Sequence, residues 1–108
     1  MKRPLILLSL CLGMLMTAST LAKAATYEYP GQWKVKDERK NPYIIRLNLG
    51  GDALSDKGRG QMGAWSFSGS GIQIAWMDGT SDSIYKTAQG YEKSSSSGGP
   101  STAAEKIG

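Results

Sequence analysis

Gln61-Met62-Gly63-Ala64-Trp65-Ser66-Phe67-Ser68-Gly69-Ser70-Gly71-Ile72-Gln73-Ile74-Ala75-Trp76 decides how the chain is read. Trp65 and Phe67 alternate with small residues before Ser68-Gly69-Ser70-Gly71, and Ile72, Ile74 and Trp76 alternate with Gln73 and Ala75 after it. A period of two sends successive side chains to opposite faces of an extended strand. Two such runs parted by a glycine-containing tetrapeptide predict a β-hairpin with one apolar and one wet face.

The pattern extends outward in both directions. Gln32 to Lys36 and Tyr43 to Leu49 precede the hairpin; Ser81 to Thr87 and a last piece around Tyr91 to Ser94 follow it. Gly50-Gly51-Asp52 and Met77-Asp78-Gly79-Thr80 supply turn chemistry between runs, with glycine where a positive φ is wanted. No stretch between Thr26 and Lys93 exceeds ten residues without Gly or Pro, and neither ten-residue stretch shows helical periodicity, so a helix-based domain is hard to build from it. The expectation is an all-β domain over residues 25–93, an antiparallel six-stranded meander forming an open or incomplete barrel. Alternation places Trp33 and Val35, then Ile45, Leu47 and Leu49, then Trp65 and Phe67, then Ile72, Ile74 and Trp76, then Ile84 in its core. Lys34, Lys36, Arg46, Asn48, Ser66, Ser68 and Gln73 fall on the wet face.

The flanks read differently. Met1-Lys2-Arg3 followed by the apolar run Leu5 to Met16 has the form of a signal peptide over residues 1–24, too short to span a bilayer. Ala22-Lys23-Ala24 places small residues before a cut after Ala24. An uncleaved anchor and lipoprotein processing at Cys11 are the competing readings; Leu10 stands where a lipobox needs a small residue. Cleavage removes Lys2, Arg3 and Lys23, taking the 13 basic residues to 10 against 9 acidic. A nearly balanced surface carries no footprint for nucleic acid, and the membrane is met only through the signal peptide. Cys11 leaves as well, so the exported domain has no disulfide. At this size that makes association with a protein partner or a second copy an attractive source of stability. Residues 94–108, opening Ser94-Ser95-Ser96-Ser97-Gly98-Gly99-Pro100, have little apolar content and read as a disordered tail.

Gly31-Gln32-Trp33-Lys34-Val35 is echoed 32 residues later by Gly63-Ala64-Trp65-Ser66-Phe67, each followed by an alternating strand and a glycine turn. The echo reads as two three-stranded units in sequence. Tyr29-Pro30-Gly31-Gln32-Trp33-Lys34-Val35 resembles the Gly-x-Trp opening of lipocalins and related small-ligand barrels. That resemblance implies a barrel enclosing an apolar ligand, with a basic residue of a late strand packed on the tryptophan; Lys86 and Lys93 are the candidates. Lipocalins are longer and eight-stranded, so the likeness covers the opening motif and the Gly/Trp rhythm. Small exported bacterial β-barrel protease inhibitors are similar in size and in Gly-x-Trp usage, but carry a disulfide that this chain lacks.

The chain has 108 residues, no histidine and one cysteine. It holds one small domain, and a histidine-based triad or a His/Cys zinc site cannot be built from it. Asp52-x-x-x-Asp56 and Asp78-x-x-x-Asp82 occupy comparable turn positions, where aspartate serves turn geometry more readily than calcium. Gly58-Arg59-Gly60 lacks the following helix that would make it a phosphate loop, and the serines lack an activating base. The aromatic residues remain. Trp33, Trp65 and Trp76 suit the core, or would line an apolar pocket if the meander curls, with Tyr43, Tyr85 and Tyr91 at its rim. The sequence is therefore read as an exported protein of a bacterial periplasm or beyond. It is a non-enzymatic interaction or envelope-associated binding module without cofactor or metal, with a small lipocalin-like carrier of an apolar ligand as the alternative.

Overall fold

A computed structural model describes residues 28–108; the signal-peptide reading, with Ala22 and Ala24, lies outside the described residues. Eight strands run in chain order: β1 Gly31–Lys36, β2 Pro42–Leu47, β3 Asp52–Ser55, β4 Gln61–Ser68, β5 Gly71–Trp76, β6 Ser81–Thr87, β7 Gly90–Ser95 and β8 Thr102–Lys106. Each pairs antiparallel with the next, and β8 pairs antiparallel with β1, so the sheet is a closed barrel.

This corrects the expected six-stranded open meander. The hairpin that decided the fold class stands, with Trp65 opposite Ile74 and Phe67 opposite Ile72, but two strands escaped the alternation pattern. In β3 the inward residues are Ala53 and Ser55 while Leu54 faces out, so its hydropathy is inverted. In β8, Thr102-Ala103-Ala104-Glu105-Lys106 has almost no apolar payload and a helix-favouring composition. It is extended because the barrel supplies it two partners: Tyr91 faces Ala104 on one side and Trp33 faces Lys106 on the other. Tertiary pairing overrides local preference here. Ser94 and Ser95 likewise belong to the sheet, opposite Ser83 and Asp82.

Closure is fastened beyond β8. Gln32 N–H donates to the Gly108 carbonyl at 3.0 Å, and Ile107 N–H donates to the Gln32 carbonyl at 2.8 Å. Gly31, at φ 134°, allows the Gly108 carbonyl to lie where a Cβ would project. Gly63 has the same function inside the wall: a Cβ there would overlap the Ala75 carbonyl and press on the Trp76 ring at 3.0 Å.

The core assignments hold except at two positions. Trp33, Val35, Ile45, Leu47, Ile72, Ile74 and Ile84 are fully buried, and Trp65 and Trp76 nearly so. Leu49 is 62 % exposed because it sits in the β2–β3 turn past the end of its strand, and Phe67 is 56 % exposed at the barrel's rim. Tyr29, Tyr43, Ala53 and Ala104 join the core without having been expected there. At roughly 1.5–3 kcal/mol for each large aliphatic or aromatic side chain removed from water, these residues are the main source of cohesion.

Candidate functional site

The barrel's two ends and its outer wall each offer a site. At one end lie the β2–β3, β4–β5 and β6–β7 turns together with Tyr29. Tyr29 stacks on Trp33 with ring centroids 5.9 Å apart and meets Tyr91 and Phe67 edge-on at 5.8 and 6.3 Å. Its hydroxyl donates to the Ser70 carbonyl at 3.2 Å, and Trp33 Nε1 donates to the Tyr29 carbonyl at 2.8 Å. Trp65 repeats the arrangement with Nε1 donating to the Asn48 carbonyl at 2.8 Å. The two tryptophans of the internal echo thus fasten a neighbouring segment in the same manner. The Tyr91 hydroxyl donates to Glu28 Oε2 in a short hydrogen bond. That bond to a carboxylate, with burial second, pushes the phenol up to about 12.

At the opposite end lie the β1–β2, β3–β4 and β5–β6 turns and the β7–β8 connection, and the interior is polar. Lys93, on β7, is buried with its ammonium donating to the Tyr43 hydroxyl at 3.0 Å and standing 5.1 Å from that ring's centroid. Burial lowers its pKa, and the charge of Asp82 works against that lowering. Burial also raises the Tyr43 phenol, reinforced by Asp82. Asp82 accepts from Trp76 Nε1 at 2.7 Å and, in a short bond, from Ser95 Oγ. Two hydrogen-bonded groups, Lys93 with Tyr43 and Asp82 with Trp76 and the partly buried Ser95, thus lie at this end, drawn from β2, β5, β6 and β7, and the charge of Asp82 acts on Lys93.

The candidate ligand residues therefore separate. Trp33, Trp65, Trp76 and Tyr43 meet inside the barrel, packed as core, while Tyr85 faces outward and shares a 2.8 Å hydrogen bond with Ser101. Of the lysines considered for the tryptophan, Lys86 lies 5.9 Å from the Tyr91 ring centroid and Lys93 is engaged with Tyr43. The residue opposite Trp33 is Lys106, whose Nζ donates to the Glu28 carbonyl at 3.1 Å.

The loop carboxylates hold turns together. Asp37 accepts the N–H groups of Arg39 at 2.9 Å and Asn41 at 2.8 Å, Asp56 that of Ile44 at 2.7 Å, and Asp78 both N–H and hydroxyl of Thr80. Accepting those bonds lowers the pKa of Asp37 and Asp78. Among the described residues no three His, Cys, Asp or Glu side chains are grouped to hold a metal ion.

Sequence reasoning named Lys93 only as a candidate partner of the tryptophan and missed the burial of Lys93 and Asp82 at one end, although the alternation that buries Ile84 turns Asp82 inward and Lys93 alternates with the partly buried Tyr91. It also missed the outer wall. Arg46 faces Leu54, Leu54 faces Met62, and Met77 N–H donates to the Met62 carbonyl at 2.9 Å. These residues form one row across β2, β3 and β4 to the end of β5. Met62 is 62 % and Met77 82 % exposed, with Ala64 and Ala75 beside them. A shallow groove of about 340 Å³, bordered by Ile44, Arg46, Leu54 and Asp56 among others, continues the row. No family model, curated protein or solved structure matches this chain.

Proposed function

We propose that this chain is an exported, non-enzymatic binding module that works through the outer wall of β2–β5, with a second copy of itself as the occupant of that wall. The observation that carries the reading is the exposed row Leu54, Met62 and Met77 on a barrel whose interior is filled. A contiguous apolar patch on a small soluble domain marks a contact surface. Closure removes free sheet edges, so pairing by strand addition is not the mode. The wall itself favours a like partner. Arg46 stands at one end of the row and Asp52 and Asp56 flank it, so two copies related by a two-fold axis can set arginine against aspartate around a shared apolar centre. Asp37 and Asp78 support a non-enzymatic reading because each has an oxygen engaged in holding its own turn.

Sedimentation velocity of the exported protein over a concentration series tests this. Reversible dimerisation, weakened at least tenfold by Met62→Asp, is the expected result. A monomer at every concentration, with Met62→Asp indistinguishable from the parent, overturns it.

The second reading is a small carrier related to lipocalins. It draws support from the Gly-x-Trp opening of β1, from the eight-stranded up-and-down closure, and from Lys106 opposite Trp33. Native mass spectrometry that finds an apolar molecule retained in the monomer would move this reading to first place.

A further inference from the structure

The polar end of the barrel carries a feature independent of the outer wall. A half-open cavity of about 40 Å³ lies between the β1–β2 hairpin and the β7–β8 connection, bordered by Lys36, Lys40, Lys93, Ser95, Gly98-Gly99 and Thr102 among others. It exceeds the ~10–15 Å³ that one water requires. Two carboxylates also border it, and both are engaged elsewhere. Asp37 accepts the N–H groups of Arg39 and Asn41, and Glu38 pairs with Lys57 at 3.4 Å. Lys36 and Lys40 form no ion pair among the described residues, whereas Lys93 feels the charges of Asp82, Glu38 and Asp37 without an ion-pair contact to any of them.

Two of the bordering residues have unfilled hydrogen-bonding capacity. Lys93 is only 4 % exposed, and of its three N–H donors one is given to Tyr43. Thr102, its cross-strand neighbour, has a buried Oγ1 with no hydrogen-bond partner. A buried polar group left in this state is destabilising unless something meets it. The groups that would meet an ammonium and a hydroxyl together are the oxygens of an anion, which accept from both and offset the charge.

We propose that this cavity binds a small oxyanionic group, a carboxylate or a phosphate, with Lys93 and Thr102 as the interior donors and Lys36 and Lys40 supplying the positive field at its mouth. The site is built from β7, β8 and the β1–β2 hairpin, so it is assembled only in the closed barrel.

The test is a titration of the ¹⁵N-labelled full chain with sodium acetate and, separately, with inorganic phosphate, at an ionic strength held constant with sodium chloride. Saturable shifts at the amides of Gly98, Gly99 and Thr102 are expected. They should weaken at least tenfold in Lys93→Met, which keeps the aliphatic stem, and several-fold in Thr102→Val, which keeps the shape. Saturation by acetate alone assigns a carboxylate, by phosphate alone a phosphoryl group, and by both a site that reads charge and size. Shifts that rise linearly without saturating, that persist undiminished in Lys93→Met, or that are absent with both anions overturn the proposal. If Lys93→Met fails to fold, Thr102→Val decides alone.

Discussion

At one end of the barrel Tyr29 lies among Trp33, Phe67 and Tyr91, and its hydroxyl donates to a backbone carbonyl. At the other, Lys93 and Asp82 are buried among Tyr43, Trp76 and Ser95. Both ends exclude water from the same apolar middle, but by different physics. The aromatic end gains from area removed from water and from edge-on ring contacts, so its contribution grows with every atom buried. The polar end must first offset the desolvation of two charges, and hydrogen bonding recovers that cost without a large surplus. The first end is built for stability, and the second retains groups whose presence stability alone does not explain.

The comparison breaks most visibly at Trp33. Trp33→Ala removes a fully buried indole and the bond to the Tyr29 carbonyl, and urea unfolding should show a loss of about 3–5 kcal/mol. Replacing both charges at the other end, Lys93→Met together with Asp82→Asn, should be neutral or stabilising by up to about 4 kcal/mol in the same assay, since two buried charges are exchanged for neutral side chains of similar shape, whereas Lys93→Met alone leaves Asp82 uncompensated. A comparable loss at both sites would mean that the polar network is as cohesive as the aromatic plug.

Asp82→Asn sharpens the contrast. The amide still has an oxygen for Trp76 Nε1, but the charge opposing Lys93's desolvation is gone. A loss of about 1–3 kcal/mol is expected, largely restored when Lys93→Met is added. A double-mutant cycle with no coupling would refute the idea that the two charges are kept for each other.

Alkaline unfolding separates the ends by pH. The phenols of Tyr43 and Tyr91 have folded pKa values raised above 10.0, Tyr91 to about 12. Their stabilising contribution is full below the unfolded value and is lost as pH rises through the folded one. Lys93 is shifted downward, so the cost of its buried charge is present at low pH and is relieved between its folded pKa and 10.5. Stability should therefore be sustained into the alkaline range, then fall above pH 10, with a shallower fall in Tyr43→Phe followed by circular dichroism.

The smallest effect is expected at an exposed turn. Asp78→Ala removes the bonds to Thr80 and should cost on the order of 0.5–1 kcal/mol. A melting temperature unchanged within error would show that the turn is held by Gly79 and the strands alone.

How much of this could be read in advance depends on what each strand carries. Ile72, Ile74 and Trp76 announce β5 because the inward face is large and apolar while Gln73 faces out. Ala53 and Ala104 announce nothing, because small residues at those inward positions leave room for the bulkier ones around them. Whether a sheet is open or closed is a non-local property: it turned on Trp33 meeting Lys106 across more than seventy residues of chain, and no window of local periodicity spans that distance. The polar site was hidden for a related reason. Lys93 and Asp82 each fall on an inward position of an alternating strand, but what Lys93 meets there, Tyr43 of β2, follows only once the barrel closes.

The pairing of β8 with β1 has a consequence for the order of events in folding. Strands β1 to β7 can zip by neighbouring hairpins, each a short-range step, but the seam between β1 and β8 joins Trp33 to Lys106 and must wait until residues 102–106 are available. Without that segment β1 and β7 would each have one edge without a strand partner. In a polypeptide emerging gradually from a ribosome or a translocation pore, the final closure is therefore coupled to delivery of that segment. The seam is thus the pairing of greatest sequence separation in the barrel, and where the chain is delivered from its N-terminus it is the last that can form.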